Sequence, residues 1–139
     1  MENVKIFLDA NILFSAALGG ESFVLLWELA KQRKIVLVTS RHCLAEAQIN
    51  LERKRAKSAH RLTTLLKQVT LVEEAYDRFV WARAFVPEKD VPVLSSAVGC
   101  SADVLLTGDI ADFGSLMKKS NFPILVRTVR AFLLKGSTG

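Results

Sequence analysis

The chain of 139 residues is poor in the residue types that make a site without a large fold. It has two cysteines and two histidines. Cys43 and Cys100 stand far apart, outside any C-x-x-C pair and away from a histidine pair. That pattern signals neither a disulfide framework nor a zinc centre, and both thiols read as reduced core fillers. His42 and His60 fall on polar helix surface with no matched partner, and neither reads as a ligand or base. No apolar run approaches the ~18 residues that span a bilayer. The opening MENVKIFLDANILF carries Glu2, and Asp9 and Asn11 break its apolar run, unlike a secretory signal. A cytoplasmic protein that does not engage a membrane is expected. No repeat, linker or low-complexity block divides the chain, so one domain over 1–135 with a frayed tail at 136–139 is expected.

Half of the residues are apolar, enough for a sizeable core in a chain this long. Nineteen Lys and Arg against fourteen Asp and Glu leave a net charge of +5, which favours a polyanion such as nucleic acid without establishing one.

Strand and helix patterns alternate along the chain. Val4 to Leu8 reads as a strand buried on both faces, and Asp9-Ala10-Asn11 follows where a helix begins. Gly19-Gly20 ends that helix, and Ser22 is read as the cap of a second one, with Phe23, Leu26, Trp27 and Ala30 inward. After a strand at Ile35 to Thr39, Ser40 caps a long polar helix to about Lys57, with Leu44, Ala47 and Leu51 inward and Glu46 beside that stripe. Ser58 restarts a helix, Val69 to Val72 is a short strand, and Glu74 to Phe85 reads as one helix closed by Pro87. Asp90 precedes a helix with Pro92 in its first turn. The strand Asp103 to Thr107 ends in Gly108-Asp109, a helical segment starts at Asp112-Phe113, and a strand at Ile124 to Val126 precedes a closing helix from Arg127. Alternation with long crossovers implies a three-layer α/β/α domain with a central, mostly parallel sheet.

In such a sheet the residues just past the strand ends gather on one edge. That brings Asp9, Asn11 and Asp109 together, with Glu46 and Asp90 on helices that can flank the same crevice. Four carboxylates do not stay ionised side by side without a compensating cation. Oxygen ligands without a Cys or His cluster favour Mg²⁺ or Mn²⁺ over zinc, and such an ion can polarise a phosphodiester and activate water. Each acid also has a structural explanation: Asp90 and Asp109 as caps, Asp9 as a turn residue, Glu46 as one more acid on a polar helix. Asp112 is a fifth candidate, as metal neighbour or cap, and Thr107 and Asn11 suit supporting roles. The run Arg53, Lys54, Arg55 and Lys57 is either a solvated helix face or a basic wall for phosphates.

FLDANIL at positions 7 to 13, the Glu46 helix SRHCLAEAQINL, KDVPVLSSAVGCSADVLLTGD at 89 to 109 and the following Asp112-Phe113 occur in an order and spacing that resembles the PIN domain family, notably its small prokaryotic toxins. The resemblance implies a Mg²⁺- or Mn²⁺-dependent endoribonuclease acting on single-stranded or structured RNA. It implies Asp9, Glu46, Asp90 and Asp109 as catalytic, metal-binding acids, supported by Asn11 and Thr107 and variably by Asp112. It also implies an antitoxin partner covering the site, and a homodimer. Two other readings compete: an RNA-binding module of the same fold without catalysis, and a phosphoacceptor receiver. The receiver is disfavoured, since it needs an adjacent acidic pair where this chain has Asp9-Ala10-Asn11, and a late lysine where it has Arg127.

Overall fold

Ile6, Phe7 and Leu8 point alternately to the two faces of β1 (Val4–Leu8), yet each is 0 % exposed. Only a strand covered on both sides does this, so β1 sits inside a layered sheet. A computed structural model describes residues 3–135; positions 136–139, where fraying is expected, lie outside the described residues.

Five parallel strands form the sheet in the order β3-β2-β1-β4-β5, with β2 at Ile35–Ser40, β3 at Val69–Val72, β4 at Val104–Leu106 and β5 at Leu125–Arg127. The chain winds outward from β1 to β3, then crosses back to β4 on the other side of β1. The strand order therefore reverses between β1 and β4, and the crevice beyond their carboxyl ends is where ligands bind in open α/β sheets. A receiver has the order 2-1-3-4-5 instead, so that reading does not survive. Its expected late cation is also engaged, as Arg127 Nη1 donates to the carbonyls of Met117 and Val126.

The helices are α1 (Ala10–Leu18), α2 (Glu21–Lys31), α3 (Arg41–Lys54), α4 (Ala59–Leu65), α5 (Phe79–Ala82), α6 (Val91–Gly99), α7 (Ile110–Met117) and α8 (Val129–Lys135). Most begin as the sequence suggests. Ser40 caps α3 by accepting from Cys43 N at 3.2 Å. Several boundaries differ. Ser22 lies inside α2, because Gly20 takes the cap position at φ 132°, backbone that glycine alone adopts without strain. Helix α3 stops at Lys54, and a 3₁₀ turn at Ala56–Ser58 leads into α4, with no capping bond from Ser58.

The helix expected over Glu74 to Phe85 is broken into a 3₁₀ turn at Tyr76–Arg78 and the single turn of α5. Glu74 is used elsewhere: its carboxylate accepts from His42 N and Ser96 Oγ, both at 2.9 Å, and so ties the start of α3 to α6. At the end of α6, a Cβ on Gly99 would collide with that of Ala75. Gly99→Ala is therefore expected to lower stability by about 1–3 kcal/mol despite better helix propensity. Urea unfolding checks this, and an unchanged or raised midpoint would show that the Ala75 segment yields freely.

No single helix among the described residues is long and apolar enough to cross a membrane.

Candidate active site

Strands β1 and β4 run in register, Ile6 with Val104 through Leu8 with Leu106, and one step further Asp9 meets Thr107. Asp9 N donates to Leu106 O at 3.0 Å. The Asp9 carboxylate is held from three directions: Oδ1 accepts from Ala10 N at 2.7 Å, and Oδ2 from Thr107 Oγ1 at 2.8 Å and Asn11 Nδ2 at 3.2 Å. Thr107, fully buried, also accepts from Asp109 N at 3.1 Å, while Asn11 Oδ1 takes Gly108 N at 2.8 Å. Asn11 and Thr107 thus clasp the two strand ends. Replacing Thr107 by Val keeps the shape but leaves Asp9 Oδ2 and Asp109 N each short of a partner. A loss of about 1–3 kcal/mol in unfolding free energy is expected, with much of it restored by Thr107→Ser. Equal stability of the Val and Ser variants would remove the clasp as an explanation.

Beyond the strand ends lies a cleft of about 260 Å³ whose lining includes Asp9, Glu46, Asp90 and Asp109, together with Lys54 and Lys89. Asp109 caps α7 by accepting from Asp112 N at 3.0 Å. That bond fixes the first turn of α7 next to α6, and carboxylate oxygens of Asp90, Asp109 and Asp112 all lie within 4.8 Å of one another. Asp90 occupies the position before α6, yet its carboxylate makes no capping bond. Asp90 Oδ2 is buried with no hydrogen-bond partner among the described residues. Lys89 Nζ lies 3.2 Å from Asp112 Oδ2 as the one ion pair to this cluster among the described residues.

The crowding shows in the titration of these groups. Burial, helped by the charges of Glu46 and Asp109, raises Asp9 above the ordinary carboxylate range against the pull of its Thr107 and Ala10 hydrogen bonds. Asp90 is pushed up to about 7, first by burial and then by Asp112, Asp109 and Asp9. Asp112 is held below the ordinary carboxylate range, first by the neighbouring Asp90 carboxyl and then by Lys89. An orphaned Asp90 oxygen and a carboxyl reluctant to ionise are what a cation would relieve. Three hard oxygen donors with no sulfur or imidazole among them fit Mg²⁺ or Mn²⁺.

The sequence from residue 5 to residue 111 matches the PIN domain family model. The chain belongs to the PIN domain family. No curated protein matches it by sequence. Solved structures that resemble it include VapBC2 from Rickettsia felis bound to a promoter DNA fragment, at 19 % identity and a TM-score of 0.71 over 90 % of this chain and 98 % of that one. A toxin-antitoxin complex from Klebsiella pneumoniae follows at 15 % identity and a TM-score of 0.64, covering 86 % and 95 % of the two chains. The sarcin-ricin loop cleaving toxin VapC20 from Mycobacterium tuberculosis has 15 % identity and a TM-score of 0.53, covering 76 % and 92 %. At these identities the likeness is one of fold.

The matched PIN segment contains Asp9, Asn11, Glu46, Asp90, Thr107 and Asp109 but stops one residue before Asp112, which the geometry nonetheless brings into the acid cluster. Glu46 also lines the cleft, from α3, with its side chain 51 % exposed. His42, which the sequence leaves without a partner, places Nε2 at 3.7 Å from Glu46 Oε1. Of the basic run on the PIN domain, Lys54 reaches the cleft, whereas Arg53, Arg55 and Lys57 are exposed outside it.

Sequence reasoning missed Asn50, Phe14 and Lys89 in the cleft lining. The first two had a signal. Asn50 lies between Glu46 and Lys54 at steps of four along α3, and Phe14 is three residues past Asn11 on α1, so each shares a helix face with a candidate. For Lys89 the only signal was its place beside Asp90.

Proposed function

We propose that this PIN domain is a Mg²⁺- or Mn²⁺-dependent endoribonuclease and the toxin of a toxin-antitoxin pair. The observation that carries the reading is the convergence of Asp90, Asp109 and Asp112 oxygens within 4.8 Å, beside the buried Asp90 Oδ2 that has no partner among the described residues, and with Asp9, Glu46, Asp90 and Asp109 lining one cleft.

Asp9, Asp90, Asp109 and Asp112 would hold the ion, with Glu46 lining the cleft from α3. An ion so held supplies Lewis-acid polarisation of a phosphodiester and lowers the pKa of a water, the two requirements of hydrolysis at neutral pH. The chain's own residues do the rest. Thr107, Asn11 and Ala10 N fix the orientation of Asp9, so no reorganisation is needed at that carboxylate. Lys54 and Lys89 stand at the same cleft and counter the repulsion between the acids and an incoming phosphate. Arg53, Arg55 and Lys57 extend positive charge outward from Lys54 along the path of the strand.

The toxin assignment draws on the likeness to VapBC2, to the toxin-antitoxin complex from Klebsiella pneumoniae and to the sarcin-ricin loop cleaving toxin. An antitoxin would then cover the cleft. Incubation with single-stranded and stem-loop RNA should give discrete fragments in Mg²⁺ or Mn²⁺ and none in EDTA. Cleavage that persists in EDTA would overturn the metal dependence, and intact RNA under all conditions would favour the non-catalytic RNA-binding module.

A further inference from the structure

The acids that would hold a cation also repel phosphate, so an RNA strand must be held from outside the cleft. At the far end of α7 from Asp112 the fold makes a second hollow, of about 490 Å³, lined by Trp81, Phe85, Phe122, Lys118, Lys119 and Asn121 among others, none of them acidic. The three rings form a cluster. Trp81 and Phe122 stack with centroids 5.7 Å apart at 24°, and Phe85 lies 5.1 Å from Trp81 and 5.0 Å from Phe122.

The cluster packs on the edge of the core without being closed over. Here all three rings remain half-buried and face the hollow. The other tryptophan shows the contrast: Trp27 is 4 % exposed and its indole Nε1 donates to Leu65 O at 3.0 Å, while among the described residues the Trp81 indole has no such partner. Lys118 and Lys119 are exposed and pair with no carboxylate among the described residues. Lysines suit a helix C-terminus on their own account, but that does not explain three half-buried aromatic rings lining the same hollow.

The hollow is tied to the acid cluster through the chain. Helix α7 is eight residues, about 12 Å, long, and Asp112 and Lys118 stand near its two ends. Along it Ala111, Ser115 and Lys118 are exposed at steps of four and three, a shallow track on one face without an acid. Phe85 likewise lies five residues before Asp90.

We propose that the hollow of Trp81, Phe85, Phe122, Lys118 and Lys119 binds an unpaired RNA nucleotide flanking the cleaved phosphodiester. Its base packs against the rings that line the hollow, its phosphates lie against the two ammonium groups, and the exposed Asn121 amide meets a base edge. Aromatic faces with cations are how single strands are held without sequence readout. The inference rests on the ribonuclease reading for the identity of the strand, but binding at the hollow does not require the acids.

The test uses the full chain carrying Asp109→Asn, so that RNA stays intact, titrated with a uridine-rich RNA of about six nucleotides. Fluorescence quenching follows Trp81, with buried Trp27 as a constant background. Saturable quenching is expected, lost in Trp81→Phe. The Lys118→Glu, Lys119→Glu double variant, changed only at exposed positions, should bind about tenfold more weakly. Its salt dependence should fall by about 1.4 in the log–log slope, for two phosphates on a single strand. A duplex of the same sequence should bind more weakly than the single strand. Unchanged affinity in the double variant, or no quenching from a chain whose wild type cleaves RNA, overturns the subsite and leaves the nuclease reading intact. Lysine-dependent quenching in a protein that never cleaves RNA does the reverse.

Discussion

Replacing Asp109 by Asn is expected to cut metal-dependent RNA cleavage by about 10²–10³-fold or more while leaving the fold in place. The two halves of this expectation have separate causes. Asp109 is both a member of the acid cluster and the N-cap of α7, where it accepts from Asp112 N. An asparagine caps a helix about as well as an aspartate, so α7 should start where it does now and Asp112 should stay in position. The charge is lost all the same, and with it an anionic ligand of the proposed ion. Without metal the variant should be at least as stable to urea as wild type, since it also removes a charge that raises Asp9 and Asp90, and it should lose the rise in melting temperature expected of the wild type in Mn²⁺. In cells, induced wild type should arrest growth and the variant should not. A variant with near-normal cleavage would leave Asp109 a helix cap and nothing more. Asp9→Asn should be similarly inactive.

Replacing Asp90 by Asn is expected to stabilise the metal-free protein at alkaline pH and to remove most of the dependence of its stability on pH. Folded Asp90 keeps its proton up to about pH 7, whereas the unfolded chain releases it near 3.8. Between those values the folded state binds more protons, so stability falls as pH rises. Asp9, also raised, works in the same direction. The stabilisation conferred by Asp90→Asn at about pH 8 should be on the order of 2 kcal/mol, once solvent in the open cleft is allowed for. Metal should act in the opposite sense, raising the melting temperature most at high pH and losing that effect in acid as protons compete for the same oxygens. If thermal unfolding of Asp90→Asn without metal retained the wild-type pH slope, the strain would have to reside in other groups.

Both experiments address acids that are readable in the sequence as residues following strands or preceding helices. Asp9 and Asp109 were legible because parallel topology sends successive strand ends to one edge. The clasp between them was not, since it depends on the register of β1 with β4, and nothing local in either strand fixes that pairing. Asp112 was ambiguous for a related reason. A residue three past a cap sits on the first turn, and whether its side chain turns to solvent or back toward α6 depends on tertiary placement. The broken segment after Glu74 failed as a helix because the residue that should begin it bonds to His42 N and Ser96 Oγ, partners that helical periodicity does not encode. Asp90 looked like a cap from its position, and only the absence of a capping bond separates it from one.

The reversal of strand order beside β1 also has a consequence in time. During synthesis β1, β2 and β3 emerge first and can pair, yet the other edge of β1 stays open until Val104–Leu106 arrives. Until then Ile6, Phe7 and Leu8 present an unpaired apolar strand, and Asp9 lacks its Thr107 donor. Long-range parallel pairing is slow to form and exposed to aggregation while it waits. The two halves of the acid cleft therefore meet only once most of the described chain has been made. A ribosome making this protein would have passed the codon for Asp109 before the nascent chain could close the acid cleft.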